Sequence, residues 1–255
     1  MNTVLQSTQL NKTYNLDPTN RHHVLYDVNL EIRRGDFVAV MGPSGSGKST
    51  LLYNLSGMDR ATSGSVIFKN HVLNELSERQ LARIRLCEMG FVFQHIHLLK
   101  NLSILDNVLL SGLLSKRLSR RATHDRARAL MERTGIADLA DRTITQASGG
   151  QLQRVGICRA LINDPDIIFG DEPTGALNSK ASGEIMDLLA EVNRGGTTVL
   201  LVTHDVRVAA RANRVLLMKD GYLVSEKELG TAPDDAPGRL DREEALANWL
   251  LEMEV

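Results

Sequence analysis

Residues 42–49 read G-P-S-G-S-G-K-S, and they directly follow the apolar residues 37–41. A continuous apolar run of this length predicts a buried strand, and the residues after the loop, T-L-L-Y-N-L, predict a helix. Glycines let successive backbone N–H groups turn toward one point, which a Cβ atom would obstruct. The helix N-terminus adds its partial positive charge at the same point. This strand–loop–helix pattern predicts a binding site for a nucleoside triphosphate.

Two polar side chains at the end of the loop complete the predicted site. The ammonium of Lys48 can lie on the β and γ phosphates, and the hydroxyl of Ser49 can ligate Mg²⁺. The residues expected to contact the nucleotide are Gly42, Pro43, Ser44, Gly45, Ser46, Gly47, Lys48, Ser49 and Thr50.

Composition narrows the class of protein. The formal net charge of −1 argues against a nucleic-acid partner. No stretch approaches 18 uninterrupted apolar residues, so we expect no transmembrane helix in this chain. If a membrane is involved, another chain is expected to cross it. The N-terminus lacks the basic and apolar regions of a secretory signal. Cys87 and Cys158 have no metal-ligand spacing and are interpreted as reduced thiols.

The pattern along the chain predicts an α/β architecture. Residues 3–10 and 24–32 alternate apolar and polar side chains, which is typical of half-buried strands. Later apolar runs are separated by long helical stretches, which predicts a mostly parallel sheet covered on both faces. Residues 98–160 are rich in leucine, alanine and arginine and contain no proline, so they are interpreted as a helical insertion. Its basic residues at 115–128 are assigned to a solvated face, with contact to lipid headgroups as the alternative.

The last part of the chain changes character. Residues 230–239 contain two prolines, two glycines and two aspartates, which is typical of a linker. After it, Leu246, Trp249, Leu250 and Met253 form one apolar stripe at helical spacing. We expect this short amphipathic helix to dock on its own domain, and a contact with a partner is the alternative.

Two adjacent carboxylates follow a second predicted strand. Residues 166–172 read D-I-I-F-G-D-E. At the end of a strand beside the phosphate loop, Asp171 could hold Mg²⁺, and Glu172 could accept a proton from an attacking water molecule. Alone, the pair is also explained by the start of a helix.

A second phosphate-binding segment decides between these interpretations. Ser148, Gly149, Gly150 and Gln151 precede a helix-forming run, and a serine with two glycines at a helix N-terminus can form an anion-binding nest. One nucleotide does not need two such segments from the same subunit. The simplest explanation is that the second segment serves a nucleotide held on another copy.

These motifs resemble those of the nucleotide-binding subunit of an ATP-binding-cassette (ABC) transporter, over residues 4–228. The resemblance implies three further site residues. Tyr14 stands where the family stacks an aromatic ring on adenine. Gln94 matches the glutamine that senses Mg²⁺ and the attacking water, and His204 matches the switch histidine that contacts the γ-phosphate.

The resemblance therefore implies a set of roles. The catalytic residues would be Glu172, His204 and Gln94. The metal would be held by Ser49, Gln94 and Asp171. ATP would be bound by Tyr14 and residues 42–50 of one copy, and in trans by Ser148, Gly149, Gly150 and Gln151 of the other.

Two positions depart from the family pattern. Ala147 precedes Ser148 where the family usually has leucine, which costs apolar packing but no phosphate donor. Asn178 stands where the D-loop normally ends in aspartate, and it keeps one acceptor oxygen without the charge. Coupling between the two sites of a dimer, and the turnover rate, depend on this second departure.

The resemblance implies a P-loop NTPase (RecA-like) core with a mostly parallel sheet, an antiparallel β edge and an inserted α-helical subdomain. The expected ATPase domain is 1–229, with its core at about 1–95 and 160–229 and the helical subdomain at about 96–159. Residues 230–255 would be the linker and the C-terminal helix. The sequence is most similar to a branch that contains the MacB, LolD, FtsE and bacitracin-resistance ATPases.

The implied function is an ATP-hydrolysing subunit, with ATP and Mg²⁺ as cofactors, that powers a separate membrane permease. Its partners would be that integral membrane permease and a second copy in a head-to-tail, ATP-dependent dimer at the cytoplasmic face of the cell membrane. An ATP-binding scaffold that clamps a membrane partner with little hydrolysis is the alternative. A ribosome- or DNA-acting ATPase is disfavoured, because the chain has neither a second cassette nor a long coiled coil.

The permease is expected to contact the cleft that follows Gln94. The apolar side chains expected to supply this surface are Ile96, Leu98, Leu99, Leu102, Ile104 and Leu105, some of which are expected to be core.

Overall fold

The computed structural model describes residues 3–15, 21–233 and 236–254. In chain order the strands are β1 (Thr3–Asn15), β2 (Arg21–Arg33), β3 (Phe37–Met41), β4 (Ser63–Phe68), β5 (His71–Val72), β6 (Met89–Phe93), β7 (Ile167–Asp171), β8 (Thr198–Val202), β9 (Arg214–Lys219) and β10 (Tyr222–Glu228). The α-helices are α1 (Lys48–Leu55), α2 (Glu78–Glu88), α3 (Ile104–Ser115), α4 (Arg120–Arg133), α5 (Gly149–Leu161), α6 (Ser179–Arg194), α7 (Val206–Ala209) and α8 (Ala236–Glu252).

The larger sheet has six strands in the order β10-β9-β3-β8-β7-β6. All neighbours from β9 to β6 are parallel, and only β10 pairs antiparallel with its neighbour β9. The register aligns the carboxyl ends of the strands, since Phe93 lies opposite Asp171 and Asp171 lies opposite Val202. The prediction of a mostly parallel sheet with an antiparallel edge is confirmed.

The smaller sheet is antiparallel, in the order β2-β1-β4-β5. It includes the two strands predicted at 3–10 and 24–32, and both are longer in the structure. A hydrogen bond from the N–H of Tyr26 to the carbonyl of Gly221, 3.0 Å long, connects the two sheets. Through this sheet, β1 carries Tyr14 toward the phosphate loop that follows β3.

Alternation along the central strands divides the core in two. In β3, Phe37, Ala39 and Met41 belong to one buried cluster, and Val38 and Val40 belong to the other. The first cluster packs α3 to α8 on one face of the sheet, and the second packs the smaller sheet, α1 and α2 on the opposite face. Burial on both faces explains why these strands are continuous apolar runs rather than alternating ones.

The region predicted as a helical insertion contains α3, α4 and α5, with short 3-10 turns before α5. α5 contacts β6 as well as α3 and α4, so it lies between the sheet and the two other helices. Two of the basic residues at 115–128 have structural roles. Arg117 donates to the carbonyls of Cys87 and Asn163, and Arg126 donates to the carbonyl of Leu161.

The C-terminal helix packs against the rest of the chain. α8 includes residues 236–239 of the segment interpreted as a linker, whereas residues 234 and 235 lie outside the described residues. Leu246 and Leu250 are buried, and Trp249 and Met253 pack against the same core cluster. Among the described residues, no helix combines the length and the apolar character that spanning a membrane requires. Cys87 and Cys158 are both buried and free.

Candidate active site

The predicted site residues come together where the parallel strands end. The phosphate loop follows β3, Gln94 follows β6, Asp171 ends β7, and His204 follows β8. The carboxyl ends of parallel strands meet at one edge of a sheet, which is where such folds bind ligands. Four loops that are distant in sequence therefore contribute to one site.

The phosphate loop has a backbone that side chains would block. Gly45 and Gly47 have φ angles of +81° and +95°, in the left-handed region that favours glycine. A Cβ atom on Gly42 would lie 2.0 Å from the carbonyl oxygen of Met218. α1 begins at Lys48 with no side-chain cap and no acidic residue in its first turn. The helix N-terminus is thus open to an anion.

Two polar groups lie inside this loop. The Lys48 Nζ atom donates to the carbonyls of Gly42 and Pro43, at 2.8 Å each. Burial lowers the pKa of Lys48, while the charges of Glu172 and Asp171 act in the opposite direction. The Ser46 Oγ atom is buried and has no hydrogen-bond partner among the described residues. A hydroxyl without a partner and an ammonium that donates to two backbone carbonyls fit a loop that binds phosphate.

The Asp171 carboxylate is fixed through both oxygens. The Ser49 hydroxyl donates to Oδ1 at 2.8 Å, and the Tyr53 hydroxyl donates to Oδ2 at 2.5 Å. Burial, and then the hydrogen bond to Asp171, raises the pKa of Tyr53 to about 12, so the phenol remains a donor at neutral pH. Sequence reasoning missed this role of Tyr53, although its position one helical turn after Ser49 places both on one face.

The donor set around Asp171 suits Mg²⁺. No cluster of three or more His, Cys, Asp or Glu residues in the described ranges could hold a metal by itself. One carboxylate and one hydroxyl are what Mg²⁺ uses in phosphoryl-transfer sites, where phosphate oxygens and water complete the shell. The N–H of Gln94 donates to the carbonyl of Asp171 at 2.8 Å. The Gln94 side chain lies beside Gly175, where a Cβ atom would be 2.9 Å from its Nε2 atom.

Glu172 and His204 form a hydrogen-bonded pair. The Oε1 and Nδ1 atoms are 2.8 Å apart, and the side chains are 20% and 73% exposed, respectively. Glu172 has a φ angle of +47°, a left-handed conformation that is costly for a residue with a Cβ atom. This backbone is anchored by a 3.1 Å bond from the Glu172 N–H to the carbonyl of Val202. A carboxylate beside an imidazole can accept a proton from water.

The pair and the phosphate loop line one cavity of about 470 Å³, a volume typical of sites for small ligands. The lining residues are Tyr14, His22, Val24, Ser44, Gly45, Gly47, Lys48, Ser49, Thr50, Glu172 and His204. His22 matches none of the sequence motifs. It lies opposite Tyr14 in the β1–β2 register, which explains its place in the cavity.

The second phosphate-binding segment lies in a different cavity. Ser148 caps α5, since its Oγ atom accepts from the N–H of Gln151 at 3.3 Å. In turn, the Gln151 side chain accepts a hydrogen bond from the Ser148 N–H at 2.8 Å, which completes a capping box. Ser148, Gly149, Gly150 and Gln151 share their cavity with Asn178 and its neighbours, and none of them lines the cavity of Lys48.

The two departures from the family pattern are accommodated locally. The Asn178 Oδ1 atom caps α6 by accepting from the N–H of Ala181 at 2.9 Å, a bond that an aspartate would also make. Ala147 is partly buried and packs against the larger core cluster.

A groove lies between β6 and α3. Its volume is about 440 Å³, and its lining includes Met58, Leu86, Phe91, His97, Leu99 and Leu110. Leu99 is 47% exposed, whereas Ile104 and Leu105 are buried in the core. Ile104 and Leu105 are therefore among the residues of this set that belong to the core, as expected for some of them, and Leu99 is among those that stay exposed.

Comparisons with known proteins match this geometry. The ABC transporter family model matches residues 25–175. The chain is 46% identical over 216 residues to a protein of Paracoccus denitrificans (strain Pd 1222) named macrolide export ATP-binding/permease protein MacB 1/2. That alignment covers 84% of this chain and 32% of the relative. The chain thus spans about a third of the length of the curated relatives it matches.

Two solved structures of one protein share the fold. A dimeric structure of MJ0796, a bacterial ABC transporter cassette, has a TM-score of 0.82 and 40% identity. A dimeric post-hydrolysis state of MJ0796 bound to ADP and Pi has a TM-score of 0.79 and 39% identity. Each comparison covers 88% of this chain and 98% of the other. The predicted P-loop fold is confirmed by these likenesses.

Proposed function

Because the chain belongs to the ABC transporter family, as an ATPase cassette that uses ATP with Mg²⁺, we propose that it powers a membrane permease. The observation that favours hydrolysis over nucleotide binding alone is the 2.8 Å Glu172–His204 pair in the same cavity as Lys48, and the family supports the membrane permease. A site that only clamps nucleotide has no need of a base beside the phosphate loop.

Each side chain in the cavity has a proposed task. Lys48, the loop glycines and the open end of α1 bind the phosphates. Tyr14 stacks on adenine. Glu172 accepts a proton from the attacking water, and His204 orients Glu172 and contacts the γ-phosphate. Ser49 and Asp171 hold Mg²⁺, with Gln94 next to them through its bond to the Asp171 backbone.

When bound, Mg²⁺ neutralises the charge that develops on the phosphate oxygens. The residues of this chain orient that chemistry. The Tyr53 phenol and the Ser49 hydroxyl fix the Asp171 carboxylate, and the strained backbone of Glu172 aims its side chain at His204. Electrostatic preorganisation of this kind accounts for much of the rate enhancement in phosphoryl transfer.

The working unit is proposed to be a head-to-tail dimer. MJ0796 is dimeric in two solved structures. In this chain, Ser148 and Lys48 line different cavities, so a second copy would supply the signature segment to each nucleotide. The ATP-binding residues would then be Tyr14 and residues 42–50 in cis and Ser148, Gly149, Gly150 and Gln151 in trans.

The permease is proposed to dock in the groove that Leu99 lines, with the chain at the cytoplasmic face of the cell membrane. The similarity to macrolide export proteins favours export, extraction or resistance as the process, and a peptide, lipid or drug as the substrate class. We also propose that the ATPase domain ends at about residue 229 and that its helical subdomain lies at about residues 96–159.

The proposal is tested by measuring ATP hydrolysis and ATP binding in two variants. Glu172→Gln keeps the shape of the side chain but removes the base, so turnover should fall by about 10²-fold or more while ATP still binds. Lys48→Ala removes the charge that faces the phosphates and should weaken ATP binding itself. Wild-type turnover in the purified Glu172→Gln protein would overturn the assignment. A negligible rate in the unmodified chain, with and without co-expressed permease, would favour the nucleotide clamp.

A further inference from the structure

Tyr14 is held by two side chains that the proposed hydrolysis does not use. Its hydroxyl donates to the Asp59 Oδ2 atom at 2.6 Å. The Lys12 Nζ atom donates to the other carboxylate oxygen, Oδ1, also at 2.6 Å. One carboxylate thus binds two residues of β1 that are two positions apart and lie on the same side of the strand.

Lys12 also lies on the aromatic ring. Its Nζ atom is 4.6 Å from the centroid of the Tyr14 ring, and it donates to the carbonyl of Arg60 at 2.7 Å. The Lys12 side chain is only 9% exposed. A buried ammonium is costly unless it is paired, so these contacts fix it in one place. A cation on one face of the ring leaves the opposite face for a stacked base.

Asp59 is in turn fixed to the helix that begins in the phosphate loop. Its N–H donates to the carbonyl of Tyr53 in α1 at 3.0 Å. α1 also begins with Lys48 and Ser49. The same helix therefore sets the place of the phosphate-binding groups at one end and the place of Asp59 at the other.

The protonation states of Tyr14 and Asp59 favour the hydrogen bond between them. Burial, and then the hydrogen bond to Asp59, raises the pKa of Tyr14 to about 12. Burial alone would raise the pKa of Asp59, but the hydrogen bonds from Lys12 and Tyr14 outweigh it and lower that pKa. At neutral pH the phenol is a donor and the carboxylate an acceptor, which is the pairing that the geometry shows.

We propose that Lys12 and Asp59 are positioning residues for the nucleobase, which fix the orientation of the Tyr14 ring at the nucleotide cavity. This inference rests on the proposed function, in which Tyr14 stacks on adenine. A ring that is already oriented loses less conformational freedom when the base binds. Lys12 and Asp59 thus set the affinity for ATP and leave the hydrolytic step to Glu172.

The test compares ATPase kinetics in the full-length chain carrying Asp59→Asn, Lys12→Met or Tyr14→Phe. Each variant should raise the KM for ATP by about 3- to 10-fold with little change in kcat. The inhibition constant of tripolyphosphate, which has no base, should be the same in all of them. Lys69→Met is the matched control, because Lys69 also pairs with two carboxylates, those of Glu88 and Asp166, but lies outside the cavity. Its KM should not change.

The double variant Tyr14→Phe/Asp59→Asn separates positioning from general stability. Tyr14→Phe removes the donor of the Tyr14–Asp59 hydrogen bond and Asp59→Asn weakens its acceptor, so the effects on KM should not multiply and the double variant should be close to the more affected single one. Multiplied effects on KM would overturn the inference, as would a lower Tm at unchanged KM. If Asp59→Asn does not fold, Tyr14→Phe alone decides, because it leaves the Lys12–Asp59 pair intact.

The variant Tyr14→Ala distinguishes a failure of the positioning role from a failure of the proposed adenine contact. If Tyr14→Ala raises the KM but Asp59→Asn and Tyr14→Phe do not, Tyr14 contacts the base without help from Asp59, and the positioning role is wrong. If Tyr14→Ala has no effect on the KM either, the proposed adenine contact itself fails.

Discussion

Asp171, at the end of β7, is bonded to two side chains of helix α1. Ser49 reaches one oxygen of its carboxylate from the phosphate loop, and Tyr53 reaches the other from the next turn of α1. A single helix face thereby fixes the carboxylate proposed to hold Mg²⁺. Groups that orient a metal ligand affect metal affinity although they do not touch the metal.

Tyr53→Phe should therefore raise the Mg²⁺ concentration needed for half-maximal ATP hydrolysis by about 10-fold. The phenyl ring keeps the apolar contacts of Tyr53, while the Oδ2 atom of Asp171 loses its donor. The measurement is a Mg²⁺ titration of ATPase activity at saturating ATP. Tyr222→Phe is the control, because Tyr222 is exposed and its ring stacks on Tyr26. An unchanged Mg²⁺ requirement in Tyr53→Phe would show that Ser49 alone orients the carboxylate.

At the scale of residues, contiguous motifs predicted most of the groups that line the cavity of Lys48, and geometry was needed for residues that reach the site from neighbouring elements. Lys48 and Glu172 each lie in a short contiguous motif, and each motif belongs to a single loop after a strand. His22 and Tyr53 reach the site through a cross-strand pair and a helix face. The place of His22 depends on the pairing of β1 with β2, which the alternating sequence pattern alone does not give.

At the scale of elements, the groove between β6 and α3 divides the apolar residues after Gln94 into two groups. Ile104 and Leu105 are in the core of the helical region, whereas Leu99 is exposed at the groove. An exposed apolar side chain in a concave surface is typical of an interaction site. Phe93, the residue before Gln94, lines this groove, so a partner docked there would contact the segment that carries Gln94.

Leu99→Glu should abolish stimulation of ATP hydrolysis by the co-expressed permease while leaving ATP binding by the isolated chain unchanged. The new charge would have to be desolvated when a partner helix enters the groove, which is costly. The measurement is ATPase activity with and without the permease. Leu251→Glu in α8 is the matched control, since Leu251 is also exposed but does not line the groove. Stimulation that survives in Leu99→Glu would place the docking site elsewhere.

The elements themselves were predicted unevenly from sequence. Strands β3, β7 and β8 were predicted because each is a short continuous apolar run, which is typical of a buried strand. Helix α2 was missed, although Ser77 and Gln80 form a capping box at its start, which is a recognisable sequence signal. Strand β10 lies at the edge of the sheet and is largely solvated, so its pattern is weak. The helical region was found by composition, but its contact with β6 through α5 depends on the tertiary fold.

At the scale of the whole molecule, the chain carries two segments that are proposed to bind nucleotide, and they line different cavities. Lys48 lines one cavity and Ser148 another. If two copies pair head to tail, each nucleotide contacts Lys48 of one copy and Ser148 of the other, and ATP holds the pair together. Hydrolysis would remove contacts across the interface, which shifts the equilibrium back toward open subunits.

Glu172→Gln, which should bind ATP without turning it over, is therefore expected to dimerise when ATP and Mg²⁺ are added, as measured by light scattering. In the Glu172→Gln protein, a second substitution, either Lys48→Ala or Ser148→Arg, should prevent dimerisation. Each nucleotide site of the dimer would then lack the contribution of one of the two copies. A mixture of the two proteins should recover dimers. In a head-to-tail pair, the intact Lys48 of one protein faces the intact Ser148 of the other, so one complete site forms. If both halves of a site came from the same copy, mixing would leave every site defective and the sample monomeric.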